Sequence, residues 1–593
     1  MAHFVSATSA VLAMAAAFAG AGAAQAQTQV PPPPPVPTPS QVPSREEVNP
    51  QVPAAQERRS TAQVDEKGAF APGPCPLAES DIKTTIREVR FTAPGGGALA
   101  PELIDLLSGI STTPETQPIK VVCDLRDQAN ARLRQSRYVA SVQIPPQRID
   151  EGVLRLEVVA GHIVEVRVRG DAGPYEGILN SRIEALKSLN PLNARDAERI
   201  LLLADDLPGL NVQLGLSPNG GGKQGELIGD LTVTYQRFAL VGNVQNYNGK
   251  QLGRETAYLR AEFFGLLGMG DRTFIAGSSS FDFKEQRILQ AGHSLSLDGN
   301  GTALSLIGTM AWSRPTLDNL DLRTRSTIGN IELSRQLVRS VRTNALIATG
   351  FEHAQQKTRI YANGTNFPQS RDKISTVYLR GHADTRKFNF DGSQAYSIAG
   401  GLEVRKGLGL FGANQVGTNN GVAPTRFEGD ARAFVVRGDL SGTVGFGPIF
   451  ELASTLRGQW TNKPLLNYDE FALGNLTLGR GYDPGSNTGD RMFGGSVEAR
   501  ANVLKGRNLR AQLYGFYDGV RLLNLDTGST EARRYLASAG GGVRLTMFNS
   551  MRLDLTYAHP FDPPLLTGNN IKRAPDRIMA SLTAQIIPFG ASR

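Results

Sequence analysis

Site chemistry needs nucleophiles, bases, metal ligands or phosphate-binding loops at workable spacing, and this chain holds few of them. Its 593 residues include six His and two Cys, too little for a metal cluster or a Cys-rich scaffold. No G-x-x-x-x-G-K-[ST] loop is present, so ATPase activity is not expected. No Ser/His/Asp set or paired-carboxylate motif is found in the His-containing segments. His559, in Tyr557-Ala558-His559-Pro560, reads as a strand end rather than a base. Neither a cofactor nor a metal is expected, and the chain does not read as an enzyme. Cys75 and Cys123 offer one reaction, oxidation to a disulfide in an exported chain; two free buried thiols are the alternative. A bridge would stabilise the folded state by roughly 3–4 kcal/mol through the loop it closes. The net charge of +8 is spread without a long basic run, so nucleic acid is not an expected partner.

The elements that must carry such residues are read from composition and periodicity. Hydrophobic residues make up 40% and Gly is 65 of 593. Beyond the N-terminus no run of ~18 apolar residues occurs, which excludes a helical membrane protein. Abundant Gly with a mean hydropathy of -0.23 remains compatible with a transmembrane β-barrel, whose strands alternate and average out. Val11 to Ala24 form a short apolar run ending in Ala24-Gln25-Ala26, a small-x-small cleavage site. Residues 1–26 therefore read as an export signal, although its first residues carry His3 and no Lys or Arg. Residues 27–74 form a linker with Pro31 to Pro35 in a row, which favours extended polyproline II. It reads as a tether, either a plain spacer or one that carries a short plug element.

Two α/β modules follow, at 75–161 and 162–237. Strand Ile82 to Phe91, helices Ala98 to Ile110 and Val121 to Arg137, and strands Tyr138 to Ile144 and Val153 to Val159 make the first. The second repeats the order with Ile163 to Val168, Ser181 to Leu189, Ala194 to Asp205, Leu210 to Leu216 and Gly225 to Tyr235. Each reads β-α-α-β-β.

Residues 238–593 show period-2 alternation. In Met492 to Val503, Phe493, Gly495, Val497, Ala499, Ala501 and Val503 share one face, and Ser496, Glu498, Arg500 and Asn502 the other. Sixteen strands are counted, starting near 239, 254, 271, 287, 302, 325, 342, 375, 394, 426, 447, 492, 508, 533, 551 and 576. Short turns such as Asp298-Gly299-Asn300, Phe390-Asp391-Gly392 and Lys505-Gly506-Arg507 alternate with long loops at 354–374, 406–425 and 461–491. An even count with short-long alternation predicts a sixteen-stranded antiparallel transmembrane β-barrel in the bacterial outer membrane, with both barrel ends and the modules on the periplasmic side. A soluble sandwich predicts neither feature.

The segment Ile144-Pro145-Pro146-Gln147-Arg148-Ile149-Asp150-Glu151-Gly152-Val153 through Ala160-Gly161-His162-Ile163 resembles the end of the first POTRA domain of two-partner secretion transporters. These are the ShlB/FhaC/HecB type of the outer-membrane assembly-factor superfamily. The placement of Cys75 and Cys123 is similar, as are Asn246-Tyr247-Asn248-Gly249 and Leu267-Gly268-Met269-Gly270-Asp271 at the barrel start. Most specific is Glu470-Phe471-Ala472-Leu473-Gly474-Asn475, then Leu478-Gly479-Arg480-Gly481-Tyr482. It resembles the family's RGY motif at the tip of the sixth extracellular loop, here between the eleventh and twelfth strands. Gly479 stands where the family has Val, and Asn475 where it has a second Gly; neither change touches the charge. The chain also ends in Gly590-Ala591-Ser592-Arg593 after Phe589, whereas such barrels usually end on an aromatic residue.

The resemblance implies a transporter that secretes an unfolded, TpsA-like partner exoprotein of haemolysin/haemagglutinin type, working as a monomer among outer-membrane lipids. The modules would accept cargo by β-augmentation, and folding outside would supply the energy. An outer-membrane insertase is the competing function, although such proteins usually carry more modules. A passive porin needs no modules, and a gated receptor needs a larger plug. The resemblance also implies that the loop tip folds back into the barrel. Arg480 then needs a carboxylate, because an unpaired buried charge is costly. Asp518, in the lumen-facing register Arg510, Gln512, Tyr514, Phe516, Asp518, is the expected partner, with Glu498 on the preceding strand as the alternative. Exchanging the charges, Arg480→Asp with Asp518→Arg, should recover more activity than either single change keeps.

Overall fold

The computed structural model describes residues 42–49, 64–65, 75–149, 151–317, 320–389, 393–417, 421–474, 478–527, 532–564 and 573–587. The export signal, most of the linker, Phe390-Asp391-Gly392, Asn475 and the residues after Ile587 lie outside them.

The two modules share one topology. In the linker, β1 (Val64–Asp65) precedes them. The first module holds β2 (Lys83–Thr85), β3 (Glu88–Thr92), α1 (Pro101–Leu107), β4 (Thr116–Pro118), α2 (Val121–Gln135), β5 (Ala140–Gln143) and β6 (Val153–Ala160). Its sheet order is β3-β6-β5, with β3 and β6 parallel. The second holds β7 (His162–Gly170), α3 (Glu176–Lys187), α4 (Ala194–Asp205), β8 (Leu210–Pro218) and β9 (Glu226–Tyr235). There the order is β1-β8-β9-β7, with β7 and β9 parallel. The helical spacing of Val122, Leu125, Ala129 and Leu133 puts all four in the first core. In the second, the Asn193 side chain accepts from the Arg195 N–H and starts α4, whose buried Ala197, Leu201 and Ala204 pack under the sheet. Cys75 and Cys123 are bonded, tying the module's first residues to α2.

Three local readings change. The strand expected over Ile82 to Phe91 is split, because Ile86 turns into the core and the Arg87 N–H donates to Gly152 O at 2.7 Å. Its halves join different sheets, β2 with β4 and β3 with β6. The linker is not wholly a tether: β1 adds a parallel edge strand to β8, Val64 opposite Leu214 and Asp65 opposite Gly215. Residues 42–49 form a turn inside the barrel, bonded to its wall strands.

The barrel runs β10 (Phe238–Gln245), β11 (Thr256–Phe264), β12 (Arg272–Ser280), β13 (Gln286–Ser296), β14 (Thr302–Ser313), β15 (Asp321–Arg339), β16 (Thr343–Ala362) and β17 (Thr365–Phe388). It continues with β18 (Gln394–Leu408), β19 (Phe434–Phe446) and β20 (Phe450–Thr461). The sixth loop carries a small hairpin, β21 (Phe471–Ala472) with β22 (Thr488–Gly489). Then come β23 (Arg491–Lys505), β24 (Leu509–Leu523), β25 (Arg533–Met547), β26 (Met551–Pro560) and β27 (Arg577–Ile587). β10 pairs antiparallel with β27, so the sixteen-stranded ladder closes without an edge. The alternating faces decide what kind of closed sheet this is. Phe493, Val497 and Val503 are 65%, 49% and 55% exposed while Ser496 and Glu498 are buried, so the apolar face points outward to lipid and the polar face lines the lumen. The loop expected over 354–374 is instead a hairpin. Asn363 and Gly364 both have positive φ, the signature of a type I′ turn, and β16 and β17 pair up to Ala362 opposite Thr365.

The second module is docked to the periplasmic turns. The Tyr175 hydroxyl donates to Pro208 O at 3.0 Å and Asp271 O at 3.3 Å, and burial pushes this phenol's pKa up, so it stays a donor. Tyr235 donates to Phe264 O at 2.6 Å, and Arg339 grips Asp206 through Nε at 2.7 Å and Nη2 at 2.6 Å.

Replacing Cys75 and Cys123 together by Ser should lower the first module's stability by roughly 3–4 kcal/mol without disturbing the barrel, which shares none of that core. Limited proteolysis should then cut within residues 75–161 faster, with the barrel fragment unchanged. Equal cutting rates would show that the bridge constrains nothing.

Candidate functional site

The sixth loop, residues 462–490, is long and turns back into the lumen. Two glycines make its tip possible. Gly479 has φ +71°, and a Cβ there would lie 2.5 Å from Leu473. A Cβ on Gly481 would lie 2.7 Å from the Ser538 Cβ, so the tip backbone touches the β25 wall. Tyr482 is fully buried with Leu473, Leu478, Val520 and Leu536. Its hydroxyl donates to Ala537 O at 2.9 Å and accepts from the Asp562 N–H at 3.2 Å.

Between these anchors Arg480 reaches β23 and β24. Nη2 donates to Asp518 Oδ1 at 2.8 Å, while Nε at 3.1 Å and the backbone N–H at 3.0 Å donate to Oδ2. Nη1 donates to Glu498 Oε2 at 2.8 Å, Nη2 also to Ser496 Oγ at 2.9 Å, and the guanidinium lies 3.4 Å from the Phe516 ring centroid. Asp518 and Glu498, two alternatives in the sequence, thus hold the same guanidinium. The bidentate fork and stacked ring suit Arg and not Lys. Glu498 has further cations in Arg544, at 2.6 and 3.0 Å, and Arg500, at 2.6 Å. Among the described residues Asp518 has Arg480 alone. Behind the tip, Arg577 donates to the Tyr482 and Arg480 carbonyls, and its Nε lies 3.4 Å from Asp483, itself bonded to Arg254 at 2.9 Å.

Two further clusters were not singled out in the sequence. Arg426, from the fifth loop, is bonded to Asp490 at 2.5 Å, Glu470 at 2.8 Å and Asp526 at 2.9 Å, joining three extracellular loops. Glu470 opens the motif of the sixth loop, but Arg426 falls at an expected strand start; that strand, β19, begins only at Phe434, which leaves Arg426 in the loop. The second cluster holds residues 42–49. Glu352 accepts from buried Arg405 at 2.7 Å and from Arg45 at 3.2 Å. Gln356 donates to Pro43 O at 2.7 Å, Gln290 to Asn49 Oδ1 at 2.8 Å and Asn467 to Val42 O at 3.2 Å. The segment therefore occupies the lumen, held by wall strands on one side and the sixth loop on the other.

A closed outer-membrane barrel, periplasmic α/β modules, and a lumen filled by its own loop and linker define a class of polypeptide-transport barrel. The haemolysin secretion/activation protein ShlB/FhaC/HecB family matches over residues 231–545, more than half of the chain. The heme/hemopexin transporter protein HuxB of Haemophilus influenzae is 24% identical over 482 residues, covering 76% of this chain and 78% of that protein. In fold, the chain is similar to CdiB from Escherichia coli, with a TM-score of 0.67 and 16% identity over 87% of this chain and 93% of that one. It is also similar to CdiB from Acinetobacter baumannii, with a TM-score of 0.59 and 16% identity over 88% and 94%. The chain belongs to the ShlB/FhaC/HecB family: it is an outer-membrane transporter that secretes a partner protein.

Arg480→Ala strands the Asp518 carboxylate in the lumen wall, a loss of roughly 3–5 kcal/mol for one partner of a buried pair. The ladder of the barrel should survive and the loop should detach. Protease added to intact cells should then cut within 462–490, while the unboiled protein keeps its gel mobility. Arg480→Lys should be cut at an intermediate rate. Exchanging the Arg480 and Asp518 charges should restore protection only in small part, since the new carboxylate at 480 would face Glu498. Wild-type protection in Arg480→Ala would show that other contacts hold the tip.

Proposed function

We propose that this transporter rests closed and opens in steps driven by its cargo, an unfolded exoprotein of haemolysin/haemagglutinin type. The observation that carries this reading is the double occupation of the lumen. Residues 42–49 and the Arg480 tip both lie in the path a translocating chain must take. Beside the apolar contacts of Val48 and Tyr482, both are held by ion pairs and hydrogen bonds to polar wall groups, which water can replace as the segments leave.

Capture begins at the second module. The β8 edge offers an open row of main-chain groups, and the chain's own linker already pairs there through Val64 and Asp65. An extended cargo segment can use the same edge, because β-augmentation needs backbone and few side chains. Cargo pairing displaces β1, and the linker that carries β1 is continuous with residues 42–49. Capture in the periplasm is thereby coupled to withdrawal of the plug. Loop release at Arg480 then clears the extracellular half. No nucleotide is needed; cargo folding at the surface removes unfolded chain from the equilibrium. A single copy holds all of these parts, so the monomer is the working unit.

Deleting residues 162–237, which carry the β8 edge, should abolish secretion while leaving the barrel inserted, since capture and insertion reside in different segments. Replacing residues 42–49 by a Gly/Ser stretch should raise single-channel conductance in planar bilayers several-fold, as the lumen loses its occupant. Proline at both 64 and 65 should raise cargo affinity by freeing the β8 edge. Unchanged conductance together with unchanged cargo affinity would contradict the coupled opening.

A further inference from the structure

The strands β15 to β17 carry a pattern on their outward face that secretion does not use. Pairing aligns Arg287 with Trp312, Trp312 with Arg325, Arg325 with Lys357 and Lys357 with Arg371. One row across five adjacent strands thus holds four cations and a tryptophan. Lys373 and Arg359 sit on the same face, one position pair below and above. The alternation places this row outward: Ser326, Gln356 and Asp372, next to it in sequence, are buried, while Leu289 and Met310, one pair below, are exposed.

Like charges directly opposite on neighbouring strands repel. Among the described residues the only carboxylate in an ion pair on this face is Asp321, already held by Arg314 and Arg323 at 2.9 and 2.8 Å. None reaches Arg287, Arg325, Lys357, Arg371 or Lys373. The Arg371 Nε is buried without an acceptor. The row therefore awaits anions from outside the chain.

Its height tells which anions. The modules dock on the turns at 265–271 and 297–301, so the opposite strand ends are extracellular. β18 ends at Leu408 opposite Ser375, and β17 continues past Lys373 and Arg371 to Thr365. The β15–β17 end of the row, with Arg325, Lys357 and Arg371, therefore lies where the lipid-facing band meets the extracellular surface, and the row descends from there through Trp312 to Arg287. Below it the outer wall is hollowed. Gly308 pairs with Gly329, a Cβ on either would meet nothing within 4 Å, and a groove of about 790 Å³ opens over them. Ile275, Leu306, Phe351 and Phe411 form its sides. Because hydrogen-bonded rows in a tilted barrel slant across the membrane, the groove descends from Phe411 near the surface toward Ile275 near the periplasmic end.

We propose that this face is a binding site for an outer-leaflet glycolipid, with its phosphates on Arg325, Lys357 and Arg371 and an acyl chain in the Gly308–Gly329 groove. Charge complementarity and continuity with the lipid-facing band select a lipid over a soluble anion. The site anchors the tall β15–β17 wall, whose Glu352 accepts from the plug residue Arg45 on the inside.

The test uses full-length protein in non-ionic detergent, with bound lipid read by native mass spectrometry. The probes are bisphosphorylated lipid A, the same glycolipid without phosphates, and inorganic pyrophosphate. The phosphorylated glycolipid should bind, and the other two roughly tenfold or more weaker. The variant R325Q/K357Q/R371Q should bind it on the order of a hundredfold more weakly, at several-fold per cation, with unboiled gel mobility unchanged. A second variant, Gly329→Leu, fills the groove without touching a cation and should also weaken binding, which keeps the test decisive if the triple variant misassembles. Equal binding of the phosphorylated and stripped lipids, or wild-type affinity in both variants, would overturn the site. Loss of cargo binding with lipid binding intact in the triple variant would assign the row to the secreted protein and overturn it too.

Discussion

A guanidinium taken out of bulk water must be met by carboxylates, and Arg480 imposes that demand on the barrel into which its loop folds. Asp518 and Glu498 can serve it only if β23 and β24 run in a register that points both inward, and only if the tip backbone comes close enough for the Arg480 and Gly481 N–H groups to reach Asp518 and Ser538. Gly479 and Gly481 permit that approach, and Tyr482 fixes its depth. Strand register, glycine placement and loop length are thus all tied to one charge.

The same physics recurs along the lumen. Arg426 gathers Asp490, Glu470 and Asp526 from two other loops, and Glu352 bridges Arg405 of the wall to Arg45 of the linker. Closure therefore combines these ion pairs with apolar packing, Val48 in one cluster with Ile374, Leu466 and Tyr468, and Tyr482 in another with Leu473 and Leu536. A wholly apolar plug would be held by contacts that water cannot replace, whereas ion pairs in a wet lumen exchange partners with solvent and with a passing chain. That suits a conduit that seals at rest and yields to a passing chain. The exposed apolar residues Phe493, Val497 and Leu513 face outward, toward lipid and away from the conduit.

Much of this was legible in the residues because a barrel strand is a strictly local signal. Alternation in Met492 to Val503 or Leu509 to Asp518 tells inward from outward once closure is assumed, and it brought Asp518 and Glu498 to the lumen. The Asn363-Gly364 turn carried its own signal, but the charged residues on both sides of it resemble a loop until their pairing partners are known. The Arg426 cluster and the lodging of residues 42–49 had no such signal. They are contacts between segments far apart in the chain, as with Asn467 and Val42, and no periodicity reports them. The Pro-rich stretch before residue 42 reads as a spacer, and only the lumen's shape and polarity give the following turn a seat.

The central claim is that the loop tip leaves its inward position when cargo engages. With the two native cysteines bonded to each other, spin labels can be placed at Ser486 in the loop and Asn549 in the periplasmic turn between β25 and β26. Pulsed distance measurement should give one short population in the resting transporter and a second, longer one when a stalled cargo segment is bound. A single unchanged distance in a transporter shown to be carrying cargo would contradict this account.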